Sequence, residues 1–414
     1  MISKLLTLFT NNKFYFFFNE LRYCSIVKNL KNKKKINVIF LINHISQWKY
    51  DLLFNIYKKN SRYTVKVFFV PIDNYNINYL DEYKFNKNEF KKIGVNLISS
   101  YSIKKKKWIN INKFFLPDIV FFSRSLIKDK SKYTIFNFNK SLKVYVPYSL
   151  HTDNNDKLQC ATLFHKLLWK QFLPYKLNFD MAKKFYDPKN VIITDYPGCD
   201  VFKLKNSSIN FWKNKRHKKI IWAPHHTIEY SKKNNFSTFL LFHNDMKKLA
   251  LKYKNSIDFC FKPHPLLKDK LYNHKEWGVK KTNEYFSFWR NNKNSILSES
   301  KYHDLFIQSD ALILDSVSFM AEYLYLKKPY CFLTKKNFAY KSSLNVIGKK
   351  IFKVIDKANN IPTLELFINQ SVINNTDPNK KKRSNVLRNL NYLNKDNVLA
   401  SKNIFNYIDN KIKF

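Results

Sequence analysis

Three short groups in the second half of this 414-residue chain set proton-handling and phosphate-binding side chains at regular intervals: His225-His226, Lys262-Pro263-His264-Pro265 and Asp315-Ser316-Val317-Ser318. A neutral imidazole can accept or donate a proton near pH 7, and seryl hydroxyls are ready donors to phosphate oxygens. The prolines on either side of His264 fix φ and remove two backbone donors, which holds that imidazole rigidly. Pro224 precedes the histidine pair, and Glu322 lies one helical turn beyond Ser318. Far upstream, His151 follows Tyr148-Ser149-Leu150. Each residue also has an ordinary reading: Asp315 or Ser316 as a helix cap, Glu322 in a buried ion pair, His151 on a surface loop.

What separates the two readings is the set of elements that must carry these residues. Residues 311–314 form a short apolar run, the mark of a strand buried on both faces. Val317, Met320, Ala321 and Leu324 then recur at helical spacing, Pro329 ends the helix, and a second strand is expected at 330–333. The first backbone N–H groups of such a helix lack internal partners and attract anions. Strands are expected likewise at 220–223 and 257–261, so all three groups stand at strand ends. In a parallel sheet those ends converge on one crevice, where ligands bind.

The first half repeats the alternation. Strands are expected at 36–43, 63–70, 95–99, 119–123, 144–147 and 191–194, with a helix over 48–59. His44, Ser123-Arg124-Ser125 and Tyr148 to His151 fall at their carboxyl ends. Strands alternating with helices predict an α/β protein with parallel sheets and crossover helices, the two halves sharing one architecture. The expected domains are 1–202 and 220–414, joined by a basic linker at 203–219. Residues 376–382 read as a loop.

Composition narrows the function. Only four glycines occur, with neither a P-loop nor a dinucleotide fingerprint among them, so P-loop kinases and dehydrogenases drop out. Five scattered cysteines offer neither a disulfide framework nor a zinc site and suit a reducing, cytoplasmic setting. No cofactor or metal is expected. The net charge of +45 raises nucleic acid, yet the lysines are spread along the whole chain and no nucleic-acid motif accompanies them. An anionic membrane surface or polymer fits a diffuse positive field as well, and no specific nucleic acid is expected. Leu5-Leu6 and the phenylalanines at 16–18 are too interrupted to span a bilayer, and suit either a peripheral helix at the inner face of the cell membrane or an ordinary first helix packed on its domain.

Trp222-Ala223-Pro224, Lys262-Pro263-His264-Pro265, and Asp315-Ser316-Val317-Ser318-Phe319-Met320 with Glu322 resemble the signature blocks of the CDP-glycerol glycerophosphotransferases, the family of teichoic-acid and capsule-assembly enzymes. Tyr196-Pro197 with Asp200 resembles another block, and the likeness covers roughly residues 140–340. It implies a GT-B fold, two Rossmann-like domains facing a central cleft, whose second domain holds a CDP-activated polyol, and transfer of the phosphopolyol to a hydroxyl with release of CMP. His264 and Ser318 match positions that contact the donor phosphates, with Pro224, His225, His226, Lys262, Asp315 and Ser316 around them. Glu322 matches an acidic position in the helix. His151 stands nearest the family's general base, facing the crevice from the first domain. The partners implied are CDP-glycerol or a related CDP-polyol and a glycan or lipid-linked acceptor. The sequence departs from the pattern at Ser149-Leu150-His151, where Trp-His-Gly is usual, at Gly198 for an arginine, and at Val317 for a hydroxyl residue. The alternatives are a GT-B glycosyltransferase using a nucleotide sugar and a non-catalytic binder of anionic polymer.

Overall fold

The computed structural model describes residues 13–70, 79–102, 104–125, 133–204, 211–229, 235–299, 302–336, 338–391 and 398–413. Leu5-Leu6 and residues 205–210 of the expected linker lie outside them. The chain divides into two compact units, one of residues 1–149, 155–200 and 393–414, the other of residues 150–154 and 201–392.

The first unit is built on a seven-stranded sheet of β1 (Ile36–Ile42), β2 (Tyr63–Phe69), β3 (Leu97–Ser99), β4 (Ile119–Phe122), β5 (Leu142–Tyr145), β6 (Lys170–Leu173) and β7 (Val191–Ile193), in the order β3-β2-β1-β4-β5-β6-β7. Every pairing in it is parallel. Val38, Phe40 and Ile42 pack against Leu53, Phe54 and Tyr57 of helix Asp51–Lys59. β6 was not expected, because Lys170 and Gln171 break the apolar run that betrays a buried strand. The helix expected over 48–59 begins only at Asp51, after a 3-10 turn at Ile45–Gln47, and the Asp51 carboxylate accepts from the indole N–H of buried Trp48 at 2.8 Å.

The last helix, Ala400–Ile412, was expected with the second domain and packs instead in the core of the first unit. Ile404, Phe405, Ile408 and Ile412 form a stripe at helical spacing that must be covered, and they join the β1–β5 core. Asp200 fixes the start of this helix: its two carboxylate oxygens accept the N–H groups of Ala400 and Ser401, each at 2.8 Å. The orphan donors of a helix N-terminus are thereby satisfied by a carboxylate 200 residues away in sequence.

The second unit carries β8 (Lys218–Ala223), β9 (Ile257–Phe261), β10 (Ser295–Leu297), β11 (Ala311–Leu314), β12 (Tyr330–Leu333) and β13 (Asp356–Ala358), in the order β10-β9-β8-β11-β12-β13. It too is parallel throughout. Lys218 and Lys219, expected in the linker, are the first residues of β8. The segment expected as a loop at 376–382 turns helical at Lys380, and Arg383 in that helix is buried against Asp377. Trp222, Phe261 and Ile313 pack with Phe239, Met246 and Trp289 from the covering helices. Both sheets share the doubly wound order in which strand succession reverses beside the first strand. In the second unit that reversal lies between β8 and β11, which is where such sheets open a ligand crevice.

Candidate functional site

Register brings the three sequence groups together. Ala223 pairs with Leu314 and Trp222 with Phe261, so β8, β9 and β11 end level with one another. The ladder continues one step further, where the His264 N–H donates to the Pro224 carbonyl at 3.1 Å. His225, His226 and His264 consequently form one cluster, with ring centroids 4.4 Å (His225–His226), 4.2 Å (His226–His264) and 5.2 Å (His225–His264) apart.

All three imidazoles are held neutral. Burial pulls His225 down to about 3, assisted by His226 and Lys270, and pulls His226 down to about 4, assisted by Lys270 and opposed by Glu229. His264 is depressed further by burial, by its two neighbours and by Lys262, which is itself buried. Hydrogen bonds then choose the tautomers. Nδ1 of His264 accepts the Leu266 N–H at 3.1 Å, so its proton sits on Nε2. Thr227 Oγ1 accepts from the Phe236 N–H at 3.0 Å and the Ser237 N–H at 3.4 Å, which leaves its own proton for Nδ1 of His225 at 2.9 Å. His225 also carries its proton on Nε2. Nδ1 of His226 is buried with no hydrogen-bond partner.

The three rings are close enough to share an ion, since their nearest nitrogens lie within 4.8 Å of one another. A metal-ligating histidine, however, normally donates its second N–H outward and turns a lone pair to the metal. His225 and His264 have the opposite polarity, with lone pairs spent on the protein and N–H groups left over. That polarity suits an anion.

Asp315 is turned inward. One oxygen accepts the His225 N–H at 2.5 Å, and the other accepts the backbone and side chain of Thr238 at 2.5 and 2.8 Å. Burial raises its pKa to about 6 against the pull of these bonds and of Lys335, whose ammonium is held by Asn235. The carboxylate thus fixes the backbone under the histidine cluster. Ser316 occupies the N-cap of helix Val317–Tyr323 but makes no capping bond, and Ser318 lies in the first turn; both are half-buried. Glu322 is buried and accepts from the Tyr302 hydroxyl.

His151 departs most from expectation. It was expected to face the site from the first domain, yet residues 150–154 belong to the second unit. Asn345 Nδ2 donates to the His151 carbonyl at 3.1 Å, the Asn345 N–H to the Thr152 carbonyl at 2.9 Å, and Thr152 Oγ1 to the Val317 carbonyl at 3.0 Å. Asp153 bridges to Leu344. Burial depresses the His151 imidazole to about 4 although Asp153 opposes it, and its Nε2 is buried without a hydrogen-bond partner. In the first unit, His44 serves its own turn through Ser46 and stacks on Phe85, and Ser123 bonds the Leu41 carbonyl at 3.3 Å.

Thr227, Thr238, Lys335, Asn345 and Gly348 escaped sequence reasoning. Only the hydroxyl directly after His225-His226 stood near enough to a recognised group to be a signal.

Residues 178–349 match the family model described as CDP-Glycerol:Poly(glycerophosphate) glycerophosphotransferase, a span that holds every candidate of the second half and leaves His151 outside. In fold, the chain is similar to a variant of the wall teichoic acid polymerase TagF, with a TM-score of 0.61 at 12% identity over 99% of this chain and 96% of that one. It is similar also to a putative UDP-N-acetylglucosamine 2-epimerase from Listeria monocytogenes, with a TM-score of 0.58 at 12% identity over 91% and 96% of the two chains. A UDP co-structure of S. aureus MnaA gives 0.56 at 13% identity over 91% and 96%. The fold is accordingly the α/β GT-B arrangement those proteins share. No curated protein matches the chain in sequence.

Proposed function

We propose that this chain, whose residues 178–349 match the CDP-glycerol glycerophosphotransferase model, moves a phosphopolyol from a CDP-activated donor to a hydroxyl in the assembly of a cell-envelope polymer, with release of CMP. One observation carries the reading: two neutral histidines with Nε2–H groups left over, gathered at the switch point of the second sheet. Neutral donors in a desolvated pocket bind a diphosphate without first having to be protonated, and they strengthen as charge builds on the departing CMP. The hydroxyls of Ser316 and Ser318 add donors from the neighbouring strand end. Asp315 and Glu322 act at one remove, the first by holding the His225 backbone and the second through Tyr302.

The acceptor oxygen attacks the β-phosphorus as the bond to the CMP oxygen breaks, and its proton passes to Nε2 of His151. A base near pKa 4 is weak, but the negative charge of a bound diphosphate favours the imidazolium and raises that value when donor is present. Glycerol phosphate is the expected cargo, and a glycan or lipid-linked hydroxyl the acceptor.

Contact with an anionic membrane face completes the proposal. Phe17, Phe18 and Leu21 are exposed on helix Lys13–Lys31. Beside them opens a cavity of about 880 Å³ whose lining includes Tyr23, Val27 and Trp169, the ammonium groups of Lys166, Lys170 and Lys411, and the carboxylates of Glu20 and Asp187. Apolar anchors with ammonium groups beside them suit the boundary between acyl chains and anionic headgroups.

The test is a nucleotide-release assay with CDP-glycerol, CDP-ribitol and a panel of nucleotide sugars. CMP from a CDP-polyol is the expected product. A nucleoside diphosphate released from a sugar donor would establish the glycosyltransferase instead, and neither product with tight polymer binding would establish a binder. His264→Ala is expected to lower CMP release at least ~100-fold, the usual cost of losing one preorganised donor to a developing charge, with the melting temperature little changed.

A further inference from the structure

We propose that Asn345 is a positioning residue for the general base, holding the main chain of His151 against the donor-binding unit while it caps the helix behind it. The inference rests on the reading of His151 as proton acceptor. The two tasks fall on different atoms of one amide. Oδ1 accepts the N–H groups of Ile347 and Gly348, both at 3.0 Å, and so caps helix Val346–Phe352. Nδ2 faces the other way and donates to the His151 carbonyl at 3.1 Å. The backbone of the same residue reinforces the link, its N–H meeting the Thr152 carbonyl at 2.9 Å.

Gly348 shows how closely the two segments are fitted. A Cβ there would lie 2.3 Å from the Thr152 carbonyl oxygen and 3.1 Å from the Thr152 Cβ. Only glycine lets the helix approach the segment so nearly. Thr152 in turn donates to the Val317 carbonyl in the turn that bears Ser316 and Ser318. The chain of contacts runs from helix to base to phosphate-facing turn, and Asn345 is its one side chain with a bond to His151.

The amide makes the two tasks separable. Asn345→Asp and Asn345→Ser both keep an oxygen for the cap, as both residue types cap well, and both remove the donor to His151. Each is expected to melt within a few degrees of the parent and to keep its KM for CDP-glycerol within about twofold, while kcat falls at least ~10-fold, part of the 10²–10⁴ that a placed base contributes. In a His151→Ala background the same substitutions should cost less than about twofold, because the residue they act through is gone. A purely structural cap would give equal losses in both backgrounds, and that result overturns the proposal. Independently of turnover, the His151 imidazole followed by NMR in the full chain without donor should titrate higher in Asn345→Ser than in the parent, since a loosened ring regains water. An unchanged titration also refutes the link. A parent that releases no CMP from CDP-glycerol would refute the donor reading, and the titration would still decide the role of Asn345.

Discussion

Imidazoles that stay neutral, unable to take up a second proton, are the unusual chemical feature at the residue scale. His225, His226 and His151 are held at about 3, 4 and 4 by burial, well below the pH at which a transferase works. For the cluster this is an advantage, since the Nε2–H groups of His225 and His264 are present at every physiological pH. For His151 it sets a testable asymmetry. The pH dependence of kcat/KM reports the free enzyme and that of kcat the loaded one. A bound diphosphate raises the His151 pKa, so the acid limb of kcat should lie at higher pH than that of kcat/KM. Coincident limbs, measured by CMP release between pH 4 and 8, would remove His151 as the base.

Strand ends and the segments clamped to them decide stability at the scale of the element. In the second unit His151, His225, His226, His243 and His264 all have folded pKa values below the unfolded value near 6.5. Between about pH 6.5 and 4 the unfolded chain binds more protons than the folded one, so stability is lost as pH falls through that window. Asp315, raised to about 6, acts in the opposite direction between its unfolded value near 4 and 6, and Asp356, also raised by burial, acts in the same sense as Asp315, but they are two groups against five. The melting temperature should therefore drop from pH 7 to pH 5, and His226→Asn should flatten the slope by removing one proton uptake, or ~1.4 kcal/mol per pH unit. A pH-independent melting curve would show that the cluster is hydrated. Gly348→Ala tests the clamp at the same scale. Its Cβ meets backbone, which has little freedom to yield, so a loss of ~1–3 kcal/mol is expected in denaturant unfolding, with kcat reduced as Thr152 is pushed aside.

These elements also show what was legible in the sequence. The strands at 311–314 and 330–333 were readable to the residue because they are unbroken apolar runs, and 257–261 because only Asp258 interrupts its apolar residues. A parallel sheet followed once they alternated with helices, and with it the level ends of the strands that carry His225 and His264. Strands Lys170–Leu173 and Asp356–Ala358 were illegible for the converse reason: short and partly polar, they are strands only because a neighbour pairs with them. Asn345 and Gly348 were illegible too. A capping asparagine before a helix is ordinary, and nothing local reveals that its second amide atom meets a segment nearly two hundred residues away. The same blindness to long-range packing assigned helix Ala400–Ile412 to the wrong unit, since its anchor is Asp200.

Charge and chain path matter most for the whole molecule. A net charge of +45 draws the protein to any anionic surface, so retention on vesicles of anionic phospholipid should be strong at low ionic strength and fade as salt screens it. Charge alone does not place the cavity under helix Lys13–Lys31 against the bilayer. Vesicles with brominated acyl chains should quench the emission of Trp169, and Trp169→Phe should abolish most of that quenching while retention persists. Equal quenching in the variant would move the contact elsewhere.

The path of the chain has a consequence for its history and its engineering. The backbone changes unit at 149/150, at 154/155, at 200/201 and at 392/393, and the second of its five legs is five residues long. A chimera of two relatives joined only at 200/201 would take residues 150–154 from one parent and their partners at 317, 345 and 348 from the other. Recombination that respects function must carry the short segment with its distant host, so these positions should be inherited as a set and drift together in lineages where the acceptor changes.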